Sequence, residues 1–174
     1  MTKPYAPVEM GDHVDEILEQ WRRELPRLDR SPMGVVGRIS RLDAVLEREL
    51  EEVFAKHGLN GGEFDVLASL RRSGRPYRLT PGALSRALMV TTGGMTKRLH
   101  SLEVAGLVRR RPDPGDRRSS TVELTAAGRK LVDGALRAHV ANEERLLAGL
   151  DPRQREQLAG LLRELALSLG DGRL

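Results

Sequence analysis

The chain of 174 residues contains no cysteine. Disulfides, thiolate metal sites and cysteine redox chemistry are therefore excluded. Aromatic residues make up only 3% of the composition, and Trp21 is the single tryptophan. A core must then be built from Leu, Val and Ala, which suits helices. The histidines His13, His57, His100 and His139 are scattered, with no two at i, i+4 spacing, so no metal site is expected. No apolar run reaches the roughly 20 residues that span a bilayer, and the first residues carry no apolar signal segment. A cytoplasmic protein with no membrane partner is expected. The sequence also lacks a Ser/His/Asp grouping and a phosphate-binding glycine loop, so it suggests neither an enzyme nor a cofactor. The pairs Glu51-Glu52 and Glu143-Glu144 are adjacent on helices, point different ways, and read as solvated faces.

What is present is charge, unevenly placed. The formal net charge of +4 hides a basic middle: residues 71–118 carry 12 Lys/Arg against 3 Asp/Glu. Residues 1–70 carry a net −5, and residues 119–174 balance at 8 against 8. A concentrated basic stretch is the electrostatic footprint of a polyanion-binding surface. Of the 29 basic residues 25 are Arg, the better phosphate fork, although a GC-rich genome gives the same bias.

That basic stretch has an order. Thr80-Pro81 reads as an N-cap and first helical residue, opening a short helix with Leu84 and Leu88 on one face. Met89–Thr92 is a tight turn whose threonines, Thr91 and Thr92, can cap a second helix over 92–105. There Met95, Leu99 and Leu102 repeat at helical spacing and face a core. The outer positions, Thr92, Gly93, Gly94, Thr96, Lys97, His100 and Ser101, are small or donate hydrogen bonds. Two adjacent glycines lower helix stability by roughly 1 kcal/mol each. Either the backbone approaches something bulky, such as a phosphate-sugar edge, or the first turn frays. Gly106 stops the helix. Leu107-Val108 begins a strand carrying Arg109, Arg110 and Arg111, Pro112–Asp116 is turn chemistry, Arg117 and Arg118 edge the turn, and Thr121–Leu124 returns. Pro76–Leu79 is a candidate third strand. Helix, turn, helix, hairpin is a winged helix-turn-helix, which lays its second helix in the DNA major groove. The fold class is mainly α with a small β-wing.

Flanking segments are helical. Asp12–Leu25 carries the stripe Val14, Ile17, Leu18 and Trp21. Ser31 caps a long helix over 33–56, with Val35, Val36, Ile39, Leu42, Val45, Leu46, Leu50 and Val53 on one side. Asn60–Glu63 opens a helix running to Leu70. Thr125 caps a helix over 126–148, and Asp151-Pro152 opens the last, through Leu169, with Leu158, Leu161, Leu162 and Leu165 on its apolar face. These stripes need cover. A second copy across a two-fold axis supplies it, although a monomer folding its termini together is the alternative. The expected organisation is 1–57 for dimerisation and ligand contact, 58–125 for DNA binding, and 126–174 for dimerisation.

On these residues the chain resembles the MarR family of bacterial transcriptional regulators. The wing signature is the most specific part: Asp116, Arg118, then Leu124-Thr125. With it stand LTPGALSRAL, GGMTKRLHSLE and GLVRR. The resemblance implies a triangular homodimer with helices from both termini at its base and two winged-helix lobes. It implies that Asp116 and Arg118 brace the wing, with Arg118 entering the minor groove. DNA-contact residues are then Thr80, Thr91, Thr92, Gly94, Thr96, Lys97, His100, Arg117 and Arg118.

A narrower resemblance is to the family's urate-responsive branch, the UrtR and PecS-type regulators. It assigns Trp21, Asp65, Arg72, Arg98 and Arg110 to a small anionic effector, urate or another organic acid. Asp65 and Arg72 share a helix stripe at i and i+7 with Ser69 between. Arg98 sits at the edge of the buried face, and two arginines can clamp a delocalised anion. Plainer readings stand beside each: a surface pair for Asp65 and Arg72, a DNA phosphate for Arg98, a wing arginine for Arg110, core for Trp21. The function implied is a ligand-responsive repressor on double-stranded DNA, against the alternative of a ligand-independent architectural DNA-binding protein.

Overall fold

The computed structural model describes residues 11–112 and 120–170. The elements are α1 His13–Glu24, α2 Ser31–Ala55, α3 Gly61–Arg72, β1 Arg78–Leu79, α4 Pro81–Ala87, α5 Thr92–Val104, β2 Val108–Pro112, β3 Ser120–Leu124, α6 Ala126–Leu146 and α7 Pro152–Ser168. The chain forms two compact units, divided between Arg48 and Glu49.

In the first unit, Asp12 caps α1 through a reciprocal box with Asp15. The same two carboxylates receive the Arg38 guanidinium of α2, at 2.8 Å to Asp12 and 2.6 Å to Asp15. Val14 is the buried member of the α1 stripe. The predicted start of α2 shifts: Ser31 already lies within the helix, and its N–H donates to the Asp29 carboxylate at 3.0 Å. An Asp two residues upstream supplies the oxygen expected of Ser31. Val35, Val36, Ile39, Leu42 and Val45 remain exposed within a single chain.

In the second unit, α3, α5 and α6 enclose a core centred on Leu67, Leu70, Leu84, Met95, Leu99 and Val132. Asn60 caps α3 in a box with Glu63, and the Glu51 carboxylate accepts from the Gly61 N–H at 2.8 Å. Glu51 is thus a helix-end partner, where the sequence suggested only a solvated face. α3 runs to Arg72, two residues past the expected end, and the Ser73 hydroxyl closes it on the Leu70 carbonyl. The sheet is antiparallel with order β1-β3-β2, so the third strand exists but is only Arg78–Leu79.

Thr125 joins three elements. Its hydroxyl accepts from the Gly128 N–H at 3.0 Å, capping α6, and donates to the Gly106 carbonyl at 2.8 Å. Its own N–H donates to the Leu107 carbonyl at 3.1 Å. The end of α5, the start of β2 and the start of α6 meet at this residue. Gly128 is required there: a Cβ on it falls 2.0 Å from the Leu107 carbonyl oxygen.

Candidate nucleic-acid interface

Two caps set the helices on either side of the turn. The Thr80 hydroxyl accepts from the Ala83 N–H at 3.1 Å, opening α4 with Pro81 at its first turn. The Thr91 hydroxyl accepts from the Gly94 N–H at 3.3 Å, opening α5. Between them Met89 takes a left-handed backbone with φ 50° and stands 75% exposed. A non-glycine residue held there stores local strain, and the sharp turn it makes sets α5 against α4.

α5 has two distinct faces. Met95, Leu99 and Leu102 are buried. Thr91, Thr92, Thr96, Lys97 and His100 are exposed, which is the arrangement a groove-reading helix needs. The Thr96 hydroxyl donates to the Thr92 carbonyl at 2.9 Å, leaving its oxygen free to accept. Ser101 leaves the reading face, because its hydroxyl donates to Glu63 at 2.5 Å. The two glycines also part company. A Cβ at Gly94 meets Val90 at 2.9 Å, whereas Gly93 faces open space. Packing of Val90 thus favours glycine at position 94, while position 93 opens to solvent.

Asp116, Arg117 and Arg118 lie outside the described residues. The base of the wing is described, and it carries a charge cluster. Glu123 of β3 lies opposite Arg78 of β1 and Arg109 of β2 in the strand register. Its carboxylate accepts from Arg109 at 2.6 Å and Arg78 at 2.9 Å, and lies 3.7 Å from Arg111. Arg109 and Arg78 hold that carboxyl below the usual carboxylate range, against the opposing effect of burial.

The effector residues fall in both units. Trp21 is on α1, 40% exposed. Asp65, Arg72, Arg98 and Arg110 belong to the second unit. Asp65 still reaches solvent, yet burial raises its carboxyl above the ordinary value, outweighing the pull of Arg98 and then Arg72. Both guanidinium groups thus act on one carboxylate. Ser69, between Asp65 and Arg72, is buried. Arg110 pairs with Glu103 at the end of α5, at 3.3 Å.

Comparison with known proteins fits this geometry. Residues 57–119 match the model of the MarR family. The chain is 42% identical to the HTH-type transcriptional regulator PecS of Dickeya dadantii over 149 residues, covering 86% of this chain and 90% of that one. The chain belongs to the MarR family. It is a DNA-binding transcriptional regulator with a winged-helix fold, and the relatives that place it are regulators, not enzymes. Solved MarR-family structures agree. Sco5413 from Streptomyces coelicolor has a TM-score of 0.70 at 26% identity, covering 80% of this chain and 96% of its own. Apo MarR from E. coli gives 0.64 at 27% identity, covering 74% and 94%.

Within this MarR-family regulator, three residues escape a reading of the sequence. Glu123 looks like one charge in an alternating strand. Gly62 looks like an ordinary first-turn glycine, but a Cβ there meets the Arg98 guanidinium at 2.5 Å. Gly62 thus makes the space that Arg98 occupies. Glu51, next to Glu52, gives no hint of its bond to Gly61. The adjacent-glycine pattern at Gly61-Gly62 was the one available signal.

Proposed function

We propose that this regulator binds a pseudo-palindromic operator as an isologous dimer, represses, and is released by a small anionic effector, urate-like by resemblance. One observation carries the DNA half: a capped α5 that buries three apolar residues and presents Thr92, Thr96, Lys97 and His100 outward. Two such helices about 34 Å apart meet successive major grooves.

The dimer reading rests on uncovered apolar surface. α7 buries none of its residues within one chain, and Leu158, Leu161, Leu162 and Leu165 are all exposed. Exposed stripes of this kind on terminal helices call for a partner. The terminal segments 1–57 and 126–174 are assigned to assembly, and 58–125 to DNA. Among the described residues no helix is long and apolar enough to cross a membrane, in keeping with work in the cytoplasm.

The effector reading rests on Asp65, Arg72 and Arg98. Arg72 and Arg98 both favour the charged form of Asp65, and two such guanidinium groups can clamp a delocalised anion, with Asp65 then set close to the ligand's negative charge. Because Arg98 belongs to α5, an anion there biases the reading helix directly. The effector lowers DNA affinity only as far as it prefers the DNA-incompetent form, typically about 5–150-fold. Trp21 enters through the resemblance alone, and Trp21→Phe tests it separately.

The deciding experiment is a footprint on the regulator's own upstream region, followed by operator-binding curves at rising urate for wild type and Arg72→Ala. Arg72→Ala should keep operator binding and lose the response. Equal responses in both proteins remove Arg72 from the site. If urate is inert but another organic acid releases DNA, the mechanism stands with a different effector. If no anion in a panel of aromatic and carboxylic acids releases DNA, the architectural reading replaces it.

A further inference from the structure

We propose that Glu123 is a specificity-determining residue for DNA binding, holding Arg78, Arg109 and Arg111 off the phosphate backbone. The register places these side chains together. Glu123 stands directly between Arg78 and Arg109 across the three strands, and Arg111 follows Arg109 two residues on, so all four share one sheet face. The carboxylate lies at the bottom of the cluster, 12% exposed, while Arg109 and Arg111 are about half exposed above it. Arg78 is more confined, with its Nε buried and unpartnered. The guanidinium groups are thus drawn inward to one acceptor, on strands that lead into the wing.

Cations in this position carry a risk for a sequence reader. Each Arg that neutralises a phosphate adds affinity for any DNA and steepens the salt dependence by about 0.9 in log–log slope. Such contacts position a protein but carry no sequence information. Three like charges in neighbouring register positions also repel one another. One shared carboxylate answers both problems. It leaves a surplus positive field that attracts DNA at a distance, and it engages the forks so that base contacts from α5 decide where the protein stops.

The test compares an operator duplex with a random-sequence duplex across a salt series, using the full chain. Glu123→Gln keeps shape and removes the charge. It should bind random DNA several-fold more tightly, with a slope steeper by about 0.9 for each arginine released onto a phosphate. The ratio of operator to random affinity should fall. Adding Arg109→Gln and Arg111→Gln to that variant should bring the slope back to within about 0.9 of wild type, the remainder belonging to Arg78. With Glu123 intact, Arg109→Gln/Arg111→Gln should leave the slope on random DNA near wild type, since neither side chain is on a phosphate. That double variant changes only half-exposed side chains and decides the matter if Glu123→Gln fails to fold. A slope lowered by about 0.9–1.8 in the double variant overturns the proposal. So does a folded Glu123→Gln that leaves random-DNA binding unchanged, or that weakens both DNAs alike at constant slope.

Discussion

Burial holds the Asp65 carboxyl above its ordinary value of 3.8, even with Arg98 and Arg72 pulling the other way. A carboxyl raised on folding binds its proton more tightly in the folded state, so stability falls as pH climbs above the unfolded value. Asp65→Asn should therefore melt higher than wild type at pH 7, and the gain should vanish below about pH 3.8. Thermal melts across that range check it; equal melting at pH 7 contradicts it. Glu123 has the opposite sign. Its carboxyl is lowered, chiefly by Arg109, so its contribution is present above the unfolded value near 4.5 and is lost as pH falls through its folded value. Glu123→Gln should flatten the acid limb of the stability curve and melt lower than wild type at pH 7. A mutant with an unchanged acid limb would show that Arg109 and Arg78 do little for the folded state. Lys97 belongs at this scale too. Lys97→Ala should weaken operator binding and shift preference among operator variants by roughly 1–3 kcal/mol at a contacted base, read from competition binding against single-base changes.

At the scale of elements, the junction of β2 and α6 tolerates little. Gly128→Ala forces a methyl to within 2.0 Å of a backbone oxygen, which cannot swing aside as a side chain can. Overpacking of this kind typically removes about 1–3 kcal/mol, and urea melts should show at least that loss. Gly134 lies on the same helix with nothing within 4 Å of an added Cβ. Gly134→Ala should stabilise by up to about 1 kcal/mol, through helix propensity alone. These elements were legible in the sequence because their signals are local. Thr80, Asn60, Thr91, Thr125 and Asp151 each cap the helix that follows, and the stripe of α5 names its own buried face. Pairings across distance were not legible. Arg78 and Glu123 are 45 residues apart, and only the register of a two-residue strand brings them together. Gly62 beneath Arg98 depends likewise on how α3 meets α5. The start of α2 falls earlier than Ser31 suggests because Asp29 also offers a capping oxygen, and sequence alone does not rank the two.

For the whole molecule, the prediction concerns assembly. Leu161 is 58% exposed in a single chain, beside Leu165 on the same stripe. If α7 packs against a second copy, Leu161→Glu with Leu165→Glu buries two unpaired charges, which is strongly unfavourable. Light scattering should then report monomers or aggregates. A well-folded double variant that still runs as a dimer removes α7 from the interface. A mechanical consequence also follows from the knot at Thr125. α6 is 21 residues long, which makes it a shaft of about 31 Å rooted where α5 ends and the wing begins. Tilting it by about 5° at the root sweeps its far end through about 3 Å. A rigid helix of that length would act as a lever: a coarse displacement at Leu146 would be geared down to a fine angular change at its root. The accuracy of that gearing depends on the rigidity of the shaft, and Gly134 sits partway along it.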